Sequence, residues 1–139
     1  MYYLKTEVGF DAAHFLKNYN GKCHNLHGHR WRVIATAKSK ELLCDKQKEG
    51  MVMDFSDLKK ALKEVTDRFD HSLIYEKDSL KNETVKALLS EDFKLVEVDF
   101  RTTAENFSKY FFDELKKYGF DMHQIEVYET PNNCAMYSE

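Results

Sequence analysis

The segment Cys23-His24-Asn25-Leu26-His27-Gly28-His29 decides the fold, through what its last two histidines meet upstream. Before it runs Tyr2–His14, which sorts by alternate residues. Tyr2, Leu4, Thr6, Val8, Phe10, Ala12 and His14 fall on one face, and Tyr3, Lys5, Glu7, Gly9, Asp11 and Ala13 on the other. The first set is mostly apolar and the second mostly polar, the period-2 pattern of a half-buried strand. His27–Lys38 splits the same way: His27, His29, Trp31, Val33, Ala35 and Ala37 oppose Gly28, Arg30, Arg32, Thr36 and Lys38, with Ile34 the exception. Paired as an antiparallel hairpin, the end of the first run lies beside the start of the second. His14, His27 and His29 then converge on the buried face at one end of a sheet.

Three histidines with an open fourth position suit a catalytic zinc ion, whereas structural zinc is usually enclosed by four protein ligands. The loop Phe15–Leu26 delivers Cys23 and His24 to the same end, so two other readings stand beside this one. In one, Cys23 is the fourth ligand of a closed structural site. In the other, the histidines are hydrogen-bonded core residues. Three at one end of one hairpin favour the metal.

With 139 residues, 42% of them hydrophobic and 32% charged, the chain reads as one soluble domain over 1–139 that buries a core without disulfides. A net charge of -3 without a basic stripe argues against nucleic acid as a partner. The apolar runs fall far short of a bilayer span, and the first residues carry no signal-peptide pattern. Three cysteines without framework spacing point to a reducing compartment, hence the cytoplasm.

Beyond the hairpin, Ser39–Gly50 reads as a polar connection and Met51–Asp54 as a short strand. Phe55, Leu58, Leu62, Val65 and Phe69 step by three and four, predicting a helix over 55–69 capped by Asp54 or Ser56. Between Ser72 and Lys94 only a short helix near Thr84–Leu89 is predicted. Leu95–Phe100 reads as a strand. Thr102-Thr103-Ala104-Glu105 matches a capping box, opening a helix whose stripe is Ala104, Phe107, Phe111, Leu115 and Tyr118, with Gly119 as its stop. Gln124–Thr130 and Cys134–Tyr137 are strands around a Pro131-Asn132-Asn133 turn. The sum is an α+β fold: an antiparallel sheet of four to six strands with two main helices.

Six positions outside the histidine triad carry candidate chemistry. Glu129 continues the apolar row of Ile125 and Val127, so it is either exposed at an edge or paired with a ligand such as a guanidine-like edge. Asp70-His71 reads as an ordinary helix-end feature that suits the dipole, or as an acid–base pair. Thr103 and Glu105 are first of all capping residues. A thiol beside a cation and an imidazole gains thiolate character, which makes Cys23 a nucleophile or general base. His24, His123, Cys44 and Cys134 fit no pattern.

Phe10-x-Ala12-Ala13-His14, Cys23-x-x-x-His27-Gly28-His29, Asp54-Phe55, Asp70-His71, Thr103-Ala104-Glu105-Asn106 and Val127-x-Glu129-Thr130 stand in this order. Taken together, nearly end to end, they resemble the family of 6-pyruvoyltetrahydropterin and 6-carboxytetrahydropterin synthases. The three residues between Cys23 and His27 resemble the bacterial carboxy-type of the queuosine and deazapurine pathways. The resemblance implies a tunnelling fold (T-fold), whose strands join across subunits into trimeric barrels that stack as hexamers. It implies zinc held by His14, His27 and His29, Cys23 as general base with Asp70 and His71 as its relay, and Glu129 gripping a pterin, with Thr103 and Glu105 near that pocket. The implied activity is a zinc-dependent lyase converting 7,8-dihydroneopterin triphosphate to 6-carboxy-5,6,7,8-tetrahydropterin, with loss of triphosphate and acetaldehyde. Pyruvoyl-type activity and a non-catalytic zinc- or pterin-binding module are the alternatives. A zinc hydrolase is disfavoured because no HExxH pattern occurs. Thr102 stands where many bacterial relatives have proline, and Lys17, Lys22, Arg30 and Arg101 are unranked candidates for the triphosphate.

Overall fold

Two long strands, β1 (Tyr2–His14) and β2 (His27–Ser39), form the centre of the sheet. The computed structural model describes residues 1–139. The two strands pair without a bulge from Tyr2 opposite Ser39 to His14 opposite His27, which sets His29 opposite Ala12. This is the register expected from the alternation. Two strands extend the sheet antiparallel beyond β2: β5 (Met122–Thr130) and then β6 (Asn133–Ser138).

Beyond β1 the pairing changes. β3 (Ser72–Glu76) and β4 (Leu95–Val98) add in parallel, giving the order β4-β3-β1-β2-β5-β6. The antiparallel expectation therefore describes four strands, and the sheet as a whole is mixed. The reason lies in the connection. α2 (Asn82–Ser90) spans between β3 and β4 and returns the chain to the same end, as parallel neighbours require. β3 shows no alternation because Ile74 and Tyr75 are consecutive and both buried.

α1 (Phe55–Asp67) and α3 (Ala104–Lys116) cover one face of the sheet. Leu58, Leu62 and Val65 of α1 and Phe107, Phe111 and Leu115 of α3 supply the buried stripes, packed on Phe10, Trp31, Val33 and Ile125. Between the helices Phe69 stands edge-on to Phe107 and Phe111, which stack on each other. The other face carries cross-strand ion pairs instead: Lys5–Glu126, Glu7–Arg32 and Asp11–Arg30. Gly9 leaves the space in which the Arg30 guanidinium lies, 3.2 Å from where a side chain would begin.

Four local expectations are corrected. Met51–Asp54 is not a strand; Leu43 and Met51 bond across a closed loop, and Val52 and Met53 pack on the core. Phe55 opens α1 but is 64% exposed, outside the stripe, and Tyr118 lies beyond α3 and is exposed too. Asp54 caps α1 as expected, accepting from Ser56 N at 2.8 Å. The capping box sits one residue later than its pattern. Thr103 is the N-cap and accepts from Asn106 N at 3.4 Å, while Asn106 Nδ2 donates to the Arg101 carbonyl at 2.9 Å. That shift releases Thr102 and Glu105 for other contacts.

Candidate metal centre and the clefts around it

The hairpin register brings His14, His27 and His29 together, with their ligand nitrogens within 4.8 Å of one another. His14 is wholly buried, and the other two are half-buried. Trp31 forms the floor, its ring edge-on to His14 and His29 and its indole N–H donating to the Ala12 carbonyl at 3.3 Å.

Two of the rings are oriented from behind. His14 Nδ1 donates to the Thr102 carbonyl at 2.8 Å, with the Thr102 hydroxyl oxygen a second acceptor at 3.3 Å. His27 Nδ1 donates to the Asn25 carbonyl at 2.7 Å. A ring whose Nδ1–H serves a carbonyl presents a bare lone pair at Nε2. All three Nε2 atoms are buried without a hydrogen-bond partner. Glu129 Oε1 lies 3.3 Å from His14 Nε2 and 3.7 Å from His29 Nε2, ion-pair distances without hydrogen-bond alignment.

Lone pairs and a carboxylate oxygen facing one another are mutually repulsive unless a cation or proton stands between them. Burial pushes His29 below the ordinary imidazole range, with Glu129 opposing it. The His14 ring, and next the charge of His29, hold the Glu129 carboxyl below its usual range despite its partial burial. Three imidazoles whose Nε2 atoms meet without a hydrogen-bond partner are a donor set that a borderline divalent ion such as zinc prefers. Carbonyls behind His14 and His27 complete the outer support such ligands normally have. The residues fit the metal.

Beside the triad opens a cleft of about 300 Å³ whose walls include Cys23, Thr103, Glu105 and Glu129. A second cleft, of about 510 Å³, is lined by His29, Arg30, Arg32, Tyr128 and Glu129, so Glu129 borders both. The predicted residues thus gather at one end of the sheet, but not in one cleft. Asp70 and His71 are tied to the backbone of β1: Asp70 Oδ1 accepts from Asp11 N at 3.0 Å, His71 Nδ1 lies 3.0 Å from Asp70 Oδ2, and His71 N donates to the Asp11 carbonyl at 2.7 Å. His71 holds a positive φ of 55° in the turn into β3, and its side chain is exposed. It borders a different, largely apolar cleft with Leu26, Leu88 and Phe93, not the cleft of Cys23. The pair is therefore a formed dyad tied to β1 and not a helix-end ornament.

Thr102 was missed as a site residue. Its position is fully buried, and its hydroxyl also donates to the Phe15 carbonyl at 3.2 Å, clamping both sides of His14. Its only sequence signal is a second hydroxyl beside the capping residue, which cap chemistry alone cannot separate from Thr103.

A hairpin-borne imidazole triad beside a thiol-lined cleft defines a candidate metal centre on a T-fold frame. The chain belongs to the 6-pyruvoyl tetrahydropterin synthase family, which residues 3–139 match. It is 37% identical, over the whole of both chains, to a Haemophilus influenzae protein named 6-carboxy-5,6,7,8-tetrahydropterin synthase. It is 34% identical to a Synechocystis protein of the same name, over 99% of this chain and 93% of that one. Among solved structures, an uncharacterized protein from Wolinella succinogenes superposes with a TM-score of 0.80 at 22% identity, over 99% and 98% of the two chains. The Caenorhabditis elegans 6-pyruvoyl tetrahydropterin synthase superposes with a TM-score of 0.70 at 25% identity, over 99% and 95%. The family supports a pterin-synthase role and the T-fold.

Proposed function

We propose that this chain is a zinc-dependent lyase that converts 7,8-dihydroneopterin triphosphate to 6-carboxy-5,6,7,8-tetrahydropterin, releasing triphosphate and acetaldehyde, in queuosine and deazapurine synthesis. The observation that carries the reading is the meeting of three unpartnered Nε2 atoms beside Glu129, which lines one cleft with Cys23. The name of the Haemophilus relative, identical at 37% of positions from end to end, favours the carboxy-type product.

His14, His27 and His29 would hold the ion, which supplies Lewis acidity toward side-chain oxygens of the substrate and so acidifies the neighbouring C–H. Cys23 acts as general base on that proton. Glu129 grips the guanidine-like edge of the pterin through two parallel N–H···O bonds and keeps base and carbon in register, with Thr103 and Glu105 shaping the same pocket. Asp70 fixes the His71 ring, and His71 relays the proton. His71 and Cys23 line different clefts within one chain, and we assign the dyad to the site of a neighbouring subunit. In this reading the site lies between copies, in a hexamer built as a dimer of trimers. We place the enzyme in the cytoplasm and treat residues 1–139 as one working domain; no helix is long and apolar enough to cross a membrane.

The test is to incubate zinc-loaded protein with dihydroneopterin triphosphate and identify all products by mass. Acetaldehyde in equal amount with 6-carboxytetrahydropterin is expected. A 6-pyruvoyl product without acetaldehyde would reassign the chain to the other activity of the family, and unchanged substrate would refute turnover. Cys23→Ala retaining full kcat would remove the base, and Glu129→Ala with unchanged KM would remove the anchor.

A further inference from the structure

We propose that Lys17, Lys77, Ser79 and Arg101 form an anion subsite that receives the triphosphate of the substrate, an inference that rests on the pterin triphosphate reading above. Of the four cations that the sequence leaves unranked, Arg30 is engaged, its Nη1 2.8 Å from Asp11 Oδ2. Lys17 and Arg101 are not neutralised. Arg101 Nη2 donates to the Lys17 carbonyl at 3.1 Å, and Lys17 Nζ donates to the Asp78 carbonyl at 3.2 Å. Backbone oxygens thus hold both side chains in place, and neither they nor Lys77 form an ion pair with a carboxylate.

These residues border one open cleft of about 450 Å³ with no apolar residue in its walls. Ser79 Oγ and Arg101 Nε, both in those walls, are buried and have no hydrogen-bond partner. Buried donors normally find an acceptor, and a polyphosphate offers many. Glu76 and Asp78 also line the cleft, so three cations face two carboxylates, and recognition depends on directed donors more than on net charge.

The cleft abuts the proposed reaction site through consecutive residues. Leu16 and Thr103 border the cleft of Cys23, whereas Lys17 and, two residues before Thr103, Arg101 border this one. The intervening Thr102 is the residue that orients His14. A substrate whose ring lies at Glu129 therefore has its leaving group directed across the Phe15–Lys17 and Arg101–Thr103 segments onto fixed donors. Holding a triphosphate there also stabilises the charge that develops as it departs.

The probe is inorganic tripolyphosphate, titrated calorimetrically into zinc-loaded protein, with unphosphorylated 7,8-dihydroneopterin titrated separately. Lys17→Gln and Arg101→Gln are each expected to weaken tripolyphosphate binding about tenfold or more, the loss of one charge-assisted hydrogen bond. Their affinity for 7,8-dihydroneopterin should stay at the wild-type value. Lys77→Gln, an exposed change that leaves the fold untouched, should act in the same direction. Unchanged tripolyphosphate affinity in all three variants, or no binding to the wild type, overturns the subsite. If turnover of dihydroneopterin triphosphate is absent while these residues still govern tripolyphosphate binding, the reaction assignment falls and the anion site stands. If turnover proceeds and Lys17→Gln and Arg101→Gln keep the wild-type KM, the subsite falls alone.

Discussion

At the scale of single residues, the imidazole of His14 has one nitrogen committed to the Thr102 carbonyl and the other free for a ligand. The carbonyl belongs to the backbone, so the Thr102 hydroxyl is the part that mutation can remove. Thr102→Val keeps the shape but deletes the bond to the Phe15 carbonyl, and should cost about 1 kcal/mol of stability in urea unfolding. Zinc affinity, read by chelator competition, should fall by up to about tenfold, the lower end of what outer-shell partners contribute. Asp70 gives a pH signature. The Asp11 backbone N–H, and next the His71 side chain, hold its carboxyl below the ordinary range. A depressed carboxylate stabilises the fold above its unfolded value, near pH 3.9, and loses that contribution as pH falls through the lower folded value. Asp70→Asn should therefore melt below the wild type at neutral pH, with the gap closing as both are acidified below about pH 4.

At the scale of elements, burial separates residues that share one sequence pattern. Phe107 is completely enclosed by Trp31, Phe69, Phe100 and Phe111, so Phe107→Ala should cost about 3–5 kcal/mol in denaturant unfolding. Phe55→Ser, at an exposed helix start, should stay within about 0.5 kcal/mol of wild type. The same contrast marks what patterning reveals. The β1–β2 hairpin is readable because alternation runs through 13 residues of each strand, and a slip of β2 by one would turn His27 and His29 to the face opposite His14. The candidate metal triad is readable for the same reason, all of it lying on that hairpin. β3 is not, since five residues with adjacent buried Ile74 and Tyr75 leave no period to detect. The contacts of Thr102 with His14, and the separation of His71 from Cys23, depend on segments far apart in the chain. Local pattern carries no record of them.

At the scale of the whole molecule, the sheet has helices on one face and ion pairs on the other, with β4 and β6 at its edges. The two halves of the proposed proton path open on different clefts, so a site shared between copies predicts complementation. Co-expressed Cys23→Ala and His71→Ala chains, each inactive alone, should recover about a quarter of wild-type activity by random assortment around a ring. Activity that stays at zero in the mixture would place the relay within one chain or remove it.

The His14–Thr102 contact joins residues 88 positions apart, and the ring it steadies belongs to the candidate metal-binding triad. Ion uptake at the proposed site and the docking of the helix-start segment onto the hairpin would consequently be thermodynamically linked. Affinity for the proposed zinc would then gauge how seldom that junction opens, and a chelator would loosen the start of α3 without touching it.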